Sequence, residues 1–203
     1  MEVIRVGAVP STMDVARHLA VGMVVVAEHQ TAGRGRLGRR WEAPPGSALL
    51  ASWVMPAHEL APLAAGVASA YACGEHVRLK WPNDLMLDGC KLGGILTERT
   101  GNKCVVGTGI NLWWAPPGGA VLGVDRDDLV QRMAAEMTRW FAAPGIDVLA
   151  AWRERSDTLG RRVRVEISGE TVEGVAQDIG PDGTLIVDGR PFAAGDVIHL
   201  RPA

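Results

Sequence analysis

Cysteine is scarce in this 203-residue chain: Cys73, Cys90 and Cys104 are scattered, and no two of them form a CxxC pair. That argues against a zinc site or a disulfide scaffold and favours buried thiols in a reducing compartment. No charge of either sign dominates, because 21 Lys and Arg face 23 Asp and Glu for a formal net charge of −2. A domain built mainly to grip nucleic acid carries a positive excess, so any cationic site here has to be local. No apolar run approaches the roughly 20 residues that span a bilayer. Residues 1–10 also lack the basic segment and apolar core of a signal peptide. The expectation is a soluble, cytoplasmic protein. His18, His29, His58, His76 and His199 share no metal-like spacing and read as surface residues.

What is present suffices for a core, since 47% of the residues are hydrophobic, enough for one substantial domain plus a small appendage. Ser11-Thr12-Met13-Asp14 reads as a helix start, with Ser11 accepting from a first-turn amide and Asp14 at the positive helix end. A short helix to about Ala20 should follow. Met23 to Glu28 is a β-branched run typical of a buried strand, and Ala48 to Met55 is a second strand. Glu59 to Cys73 is Ala-rich, with Pro62 near its start and Gly74 just beyond its end, which is helix punctuation. Strands are expected at Val77 to Lys80, Leu85 to Leu87, Lys91 to Glu98 and Cys104 to Thr108, with a hairpin turn at Asp88-Gly89. Asp127 to Phe141 and Asp147 to Thr158 read as helices. Near Gly160 the texture changes to alternation (Val163, Val165, Ile167; Leu185, Val187) with turns at Ser168-Gly169, Pro181-Asp182-Gly183 and Asp188-Gly189. Two units are therefore expected, 1–159 and a β-only module over 160–203.

Gly33-Arg34-Gly35-Arg36-Leu37-Gly38 has the spacing G-x-G-x-x-G. A dinucleotide fold is rejected because that fingerprint needs a helix directly afterwards, whereas the chain continues through Pro44-Pro45-Gly46. No Gly-Lys-Ser or Gly-Lys-Thr phosphate loop is present either. Four arginines, Arg34, Arg36, Arg39 and Arg40, crowd into seven residues. Their guanidinium forks suit phosphate or carboxylate, and the glycines between them let backbone amides approach a ligand. Taken alone, the segment reads equally well as a solvated basic loop.

It does not stand alone. The run Gln30-Thr31-Ala32-Gly33-Arg34-Gly35-Arg36-Leu37-Gly38-Arg39-Arg40-Trp41 resembles the biotin-binding signature of biotin protein ligases. Lys80-Trp81-Pro82-Asn83-Asp84-Leu85, Lys91-Leu92-Gly93-Gly94-Ile95-Leu96 and Gly107-Thr108-Gly109-Ile110-Asn111 are similar to that family's further signatures, and Ser11-Thr12 to its N-terminal pair. The resemblance implies an α/β (α+β) fold: a mixed sheet flanked by helices in a class II synthetase-like catalytic domain, then a small SH3-like β barrel. It also implies biotin and ATP as substrates, with Mg²⁺, and a biotin carboxyl carrier protein or carboxylase domain as partner. Ser11, Thr12 and Gln30 would meet the biotin head group, since hydroxyl and amide groups donate and accept. Arg34 and Arg36, with the backbone of Gly33 and Gly35, would hold the carboxylate and then the phosphates. Lys91 would stabilise charge at the reacting carboxylate and α-phosphate, and Gly94 and Gly107 would admit biotin closely. Asn83, Asp84 and Asn111 fall on the ATP and Mg²⁺ side, and Trp41 would stack on a ligand ring. The catalytic pair is Lys91 and Arg36.

Some residues keep a plain structural alternative. Asp84 is either a nucleotide-side or metal group or the cap of a local turn. Gly93-Gly94 is a strand bulge or a close-approach site. Met13 stands where the family often has Asn. Residues 112–124, with Trp113-Trp114-Ala115-Pro116-Pro117, match no signature and form a cover over the adenine or a surface turn with two half-buried tryptophans. Lipoate ligases and octanoyl transferases share a related fold, but the arginine pattern favours biotin. With about ten residues before Ser11 there is no room for a helix-turn-helix, so no specific DNA binding is expected. Monomer and homodimer both remain open.

Overall fold

The computed structural model describes residues 1–167 and 169–200. Seven strands form a mixed sheet: β1 (Glu2–Val9), β2 (Met23–Gln30), β3 (Ala48–Pro56), β4 (Arg78–Lys80), β5 (Asp84–Leu87), β6 (Cys90–Thr100) and β7 (Lys103–Asn111), in the order β1-β2-β3-β7-β6-β5-β4. Only β1 and β2 run parallel; the remaining neighbours are antiparallel. β3 is central and buried along nearly its whole length, which explains an apolar run interrupted by Ser52 alone. β1 escaped the sequence reading because it is an edge strand whose side chains are mostly exposed or half-buried, so its apolar residues show no clean alternation.

Four helices cover the sheet: α1 (Thr12–Ala16), α2 (Ala61–Cys73), α3 (Arg126–Phe141) and α4 (Gly145–Arg155). The largest apolar core joins α2, α3 and α4 to one face of the sheet, while Met13 and Ala16 of α1 pack with Val25, Val54 and Val105 on the other. α2 is rich in small residues and almost wholly buried, which lets it lie between the sheet and the outer helices. α1 ends at Ala16, short of the expected Ala20, and runs out in turn bonds from His18 N to Val15 O and from Leu19 N to Ala16 O. α4 starts earlier than expected, at Gly145, and stops at Arg155, because the Ser156 hydroxyl accepts from the amides of Thr158 and Leu159 at 3.1 and 3.0 Å. The Asp88-Gly89 turn has φ of 51° and 74°, the geometry of a two-residue hairpin.

Strands β8 (Arg162–Ile167), β9 (Glu170–Ile179), β10 (Leu185–Val187), β11 (Arg190–Phe192) and β12 (Asp196–His199) make a second, wholly antiparallel sheet in the order β11-β10-β9-β8-β12. The alternating residues read from the sequence supply its interior, with Val163, Val165, Leu185 and Val187 buried. Turns at Asp182-Gly183 and Asp188-Gly189 lie where expected, Gly183 and Gly189 both at positive φ. Ser168, part of the turn expected at Ser168-Gly169, lies outside the described residues, as do residues 201–203. No helix among the described residues is long and apolar enough to cross a membrane.

The two sheets share one apolar core. Trp81 fastens them: it is buried, its backbone N–H donates to Thr158 Oγ1 at 3.0 Å, and its indole N–H donates to the Gly183 carbonyl at 3.2 Å. Of the histidines read as surface residues, His18 and His76 are exposed, whereas His29, His58 and His199 are each partly buried. His199 lies 3.3 Å from Thr158 Oγ1 and 3.8 Å from Asp157, and burial, reinforced by the charge of Lys80, pushes its pKa down to about 4. Cys73 and Cys104 are buried, with thiols pushed up by burial to about 12 and about 11, while Cys90 is only partly covered.

Two measurements test these packing statements. Trp81→Phe keeps most of the apolar volume but orphans the Gly183 carbonyl, and should cost about 1–3 kcal/mol, read as a lower urea midpoint at unchanged slope. An unchanged midpoint would show that the indole bond does not hold the seam. For His199, the unfolded chain binds the proton more tightly than the native state. Its contribution to stability is full above about pH 6.5 and is lost as pH falls towards 4. Relative to wild type, His199→Gln should flatten the pH dependence of Tm across that window, and parallel Tm profiles would refute it.

Candidate active site

Beneath α1, at the seam between the two sheets, lies a cavity of about 380 Å³, within the range of small-ligand sites. Its floor is built from glycine. Gly94 on β6 pairs with Gly109 on β7, and Gly107 lies two residues before Gly109, so all three project on one face of the sheet. A side chain on Gly109 would come within 2.8 Å of the Trp41 ring, which lies across this spot. One on Gly107 would come within 2.8 Å of Met13 Sδ. The two glycines thus admit an indole and a thioether that form walls of the cavity. Gly107, expected to make room for a ligand, makes room first for Met13.

One end of the cavity is polar and neutral. Gln30, at the end of β2, accepts from Thr12 N–H at 2.7 Å and lies 3.0 Å from Thr12 Oγ1, which also meets Ser52 Oγ at 2.7 Å. Ser11 caps α1, its hydroxyl accepting from Met13 N–H at 3.3 Å. Ser11, Thr12 and Gln30 therefore converge as the sequence predicts. Ser52 is a member that sequence reasoning missed: it sits mid-strand in an apolar run, and only the register places it opposite Gly107.

The arginine-rich segment folds as a narrow hairpin. Trp41 N–H donates to Gly33 O, Gly35 N–H to Arg39 O, and a tight turn over Arg36–Gly38 closes the tip. Gly33 needs its hydrogen because a side chain there would run into the Trp41 carbonyl. Leu37 at the tip is 72% exposed with φ of 55°. The four guanidinium groups go to different places. Arg34 forks onto both Asp14 carboxylate oxygens at 2.8 and 3.0 Å, Arg39 pairs with Asp196 of β12, and Arg40 reaches Glu42 at 3.5 Å. Arg36 differs. Among the described residues its guanidinium makes just two hydrogen bonds, both long and from one nitrogen, to Asn83 Oδ1 at 3.3 Å and the Gly195 carbonyl at 3.5 Å, and burial pushes its pKa down. Among the described residues it is the one loop arginine with no carboxylate partner within salt-bridge distance.

Opposite the hairpin, the irregular pairing of β5 with β6 brings Lys91 Nζ to 2.6 Å from Asp84 Oδ1. Asn83 braces the corner by donating to Ile95 O at 2.8 Å. Lys80, which the sequence reading left without a role, also lines the cavity, and burial lowers its pKa. Among the described residues no three His, Cys, Asp or Glu side chains cluster as a metal-holding group. Asp84 is the motif carboxylate at hand, and an ion such as Mg²⁺, held mainly by phosphate oxygens and a single protein carboxylate, suits that donor set.

Beyond Trp41 the cavity opens into a second hollow, bordered by Lys91, Asn111, Trp114 and residues 116–119. Residues 112–124 fold back so that Ala120 N–H donates to Lys91 O at 2.9 Å and Asn111 Nδ2 to Ala120 O at 3.1 Å. Trp113 is 64% exposed, more than the half-buried residue expected of a surface turn, whereas Trp114, at 38%, is more than half covered. Among the described residues, two buried polar atoms here have no hydrogen-bond partner, Asn111 Oδ1 and the Trp41 indole nitrogen.

Residues 9–113 match the biotin/lipoate A/B protein ligase family, and residues 158–200 match the biotin protein ligase C-terminal domain. The chain is 37% identical to the biotin–[acetyl-CoA-carboxylase] ligase of Mycobacterium tuberculosis, covering 89% of this chain and 80% of that protein. It is 33% identical to the protein of the same name from Paracoccus denitrificans, covering 88% and 91%. In fold it is similar to the biotin protein ligase of Aquifex aeolicus solved in complex with biotin and ATP, with a TM-score of 0.85, 22% identity and 99% of both chains covered. The Leishmania major biotin protein ligase solved with biotin superposes at a TM-score of 0.70 with 25% identity, over 100% of this chain and 99% of that one. The match across both segments, at more than 30% identity over most of each relative's length, shows that this chain belongs to the biotin/lipoate A/B protein ligase family.

Proposed function

We propose that this protein is a biotin–carrier ligase that activates biotin with ATP and transfers it to a lysine of a carboxylase carrier domain, acting in the cytoplasm. The observation that carries this reading is the placement of Arg36: a half-buried guanidinium with most of its donors unused, sharing one cavity with Lys91 and with the Ser11, Thr12 and Gln30 cluster. A ureido head group, which both donates and accepts, suits that neutral end. The valeryl chain would cross the glycine floor between Met13 and Trp41. Its carboxylate would then arrive beside Arg36 and Lys91.

In the first step a carboxylate oxygen attacks the α-phosphorus of ATP, the bond to the bridging oxygen breaks, and pyrophosphate leaves. In the second, the carrier amine attacks the acyl carbon, AMP leaves, and the nitrogen gives up a proton. Neither step needs a protein nucleophile. The work of the residues is to gather two anions and to stabilise charge that grows on oxygen in the transition state. Lys91, oriented by Asp84, and Arg36, braced by Asn83, are the groups assigned to it, with Gly33, Arg34 and Gly35 shaping the hairpin around the acyl phosphate. Mg²⁺ entering with the nucleotide would neutralise phosphate charge, with Asp84 as its protein carboxylate.

The hollow beside Asn111 is assigned to the adenine ring. Asn111 borders that hollow, and Trp114 and residues 116–119 line it. The module over 160–203 is proposed as the second domain, its β12 closing the cavity through Asp196 and Val197. No role in DNA binding is proposed.

The direct test is mass spectrometry of a biotin carrier domain incubated with enzyme, ATP and biotin, beside a lipoyl domain with lipoate. A mass increase of one biotin confined to the first arm is expected, and modification of the lipoyl domain alone would overturn the reading. Arg36→Ala should leave Tm unchanged but let the adenylate escape, giving at least tenfold faster release into solvent. That release is measured by chasing radiolabelled adenylate off the enzyme, and unchanged retention would remove Arg36 from this role.

A further inference from the structure

Asp14 has no part in the chemistry above, yet the structure spends two cations on it. Arg34 from the hairpin engages both of its oxygens at 2.8 and 3.0 Å, and Arg17 meets Oδ1 at 2.9 Å. Arg17 continues to Glu98 on β6 at 2.6 Å, so charges alternate in a row from the hairpin across α1 to the sheet. The far end of α1 is pinned as well, where Lys103 on β7 donates to the carbonyls of Arg17 and Leu19 at 2.9 and 2.8 Å. Two residues before Asp14 stands Thr12, whose amide and hydroxyl make the contacts to Gln30 in the head-group cluster.

We infer that Asp14 is a positioning residue for the ligation: through Arg34 it ties the arginine-rich hairpin to the helix that carries Ser11 and Thr12, so that seating the head group and closing the hairpin become one event. This rests on the proposed ligase function. The tie divides the labour among the loop arginines. Arg34 spends its fork on Asp14 and anchors the segment, which leaves Arg36, two residues on, to face the cavity with donors unused. A two-pronged guanidinium–carboxylate pair fixes orientation as well as distance. Among the described residues the hairpin has two backbone bonds and a tight turn of its own, so its outside anchors, Arg34 on Asp14 and Arg39 on Asp196, decide how much of the time it stays folded over the site. Arg34 holds the Asp14 carboxyl below its ordinary range, so the anchor persists at neutral pH. The four side chains are 31–40% exposed, which keeps the effect modest and sensitive to salt.

The test reads the tie with and without ligand. In ligand-free protein, tryptic cleavage after Arg36, Arg39 and Arg40 should rise on the order of three- to fivefold in Asp14→Asn, and Asp14→Glu should recover part of the protection. In an Arg34→Ala background, Asp14→Asn should add nothing further, because the two residues act as one unit. With biotin and ATP, Asp14→Asn should raise the KM for biotin and the escape rate of the adenylate by a similar factor while leaving single-turnover adenylation at saturation unchanged. A purely structural aspartate would instead lower Tm and act equally in both backgrounds. Equal digestion rates, or an undiminished effect in Arg34→Ala, would overturn the inference. Should the protein take up no biotin at all, the ligase reading falls, while the digestion ratios still decide whether the tie exists.

Discussion

Like charges gathered around one cavity repel, and this site gathers six: Arg34, Arg36, Arg39, Arg40, Lys80 and Lys91. The protein holds them together by placing carboxylates behind most of them. Asp14 takes Arg34, Asp196 takes Arg39, Glu42 approaches Arg40, and Asp84 takes Lys91. These acids come from different parts of the chain, so the cationic site exists only once α1, the hairpin, the β5–β6 corner and β12 have met. That is why a protein with a formal charge of −2 can still present a strongly anion-seeking pocket. The cations left without such a partner are the informative ones. Arg36 faces the cavity with donors unused, so an arriving anion meets a donor already aimed.

The floor is governed by a second constraint, close approach. Trp41 lies on Gly109 and Met13 on Gly107, and neither contact survives a Cβ at those positions. Both glycines sit on β7, next to the central β3 and rigid on that account, so the walls of the cavity are as fixed as the sheet beneath them. A slot between a flat ring and a thioether, with hydroxyls and an amide at one end and guanidinium and ammonium groups at the other, matches a molecule that is neutral and hydrogen-bonding at its head and anionic at its tail.

Much of this was legible in the sequence, and what was missed has physical reasons. Capping by Ser11, the punctuated α2, the Asp88-Gly89 hairpin and the alternating C-terminal strands are local signals, and each element lies near where its residues placed it. The signature residues Ser11, Thr12, Gln30, Arg36, Trp41, Asn83, Asp84 and Lys91 do share one cavity. β1 was missed because an edge strand need not alternate. Ser52, the pairing of Gly94 with Gly109, and the partners of Arg34 and Arg39 were missed because they depend on register between strands far apart in the chain, which no single-sequence pattern encodes. His29, His58 and His199 were misjudged because spacing says nothing of burial: His199 looks like a surface residue until β12 is laid against β8 and Thr158.

The C-terminal sheet follows from the same electrostatic constraint. Remove it, and Arg39 loses its acid, Arg36 loses the Gly195 carbonyl, and Trp81 loses the Gly183 carbonyl against which its indole is set. Trp81 is followed directly by the corner that carries Asn83 and Asp84, and Asp84 orients Lys91. A module of five short strands therefore reaches both halves of the proposed reaction centre, the hairpin through Asp196 and the lysine through Trp81. Because its interior is continuous with the main apolar core, that reach is rigid: the two sheets cannot separate without exposing apolar surface and orphaning buried polar groups together. The module is better understood as the fourth wall of the site than as an appendage to it.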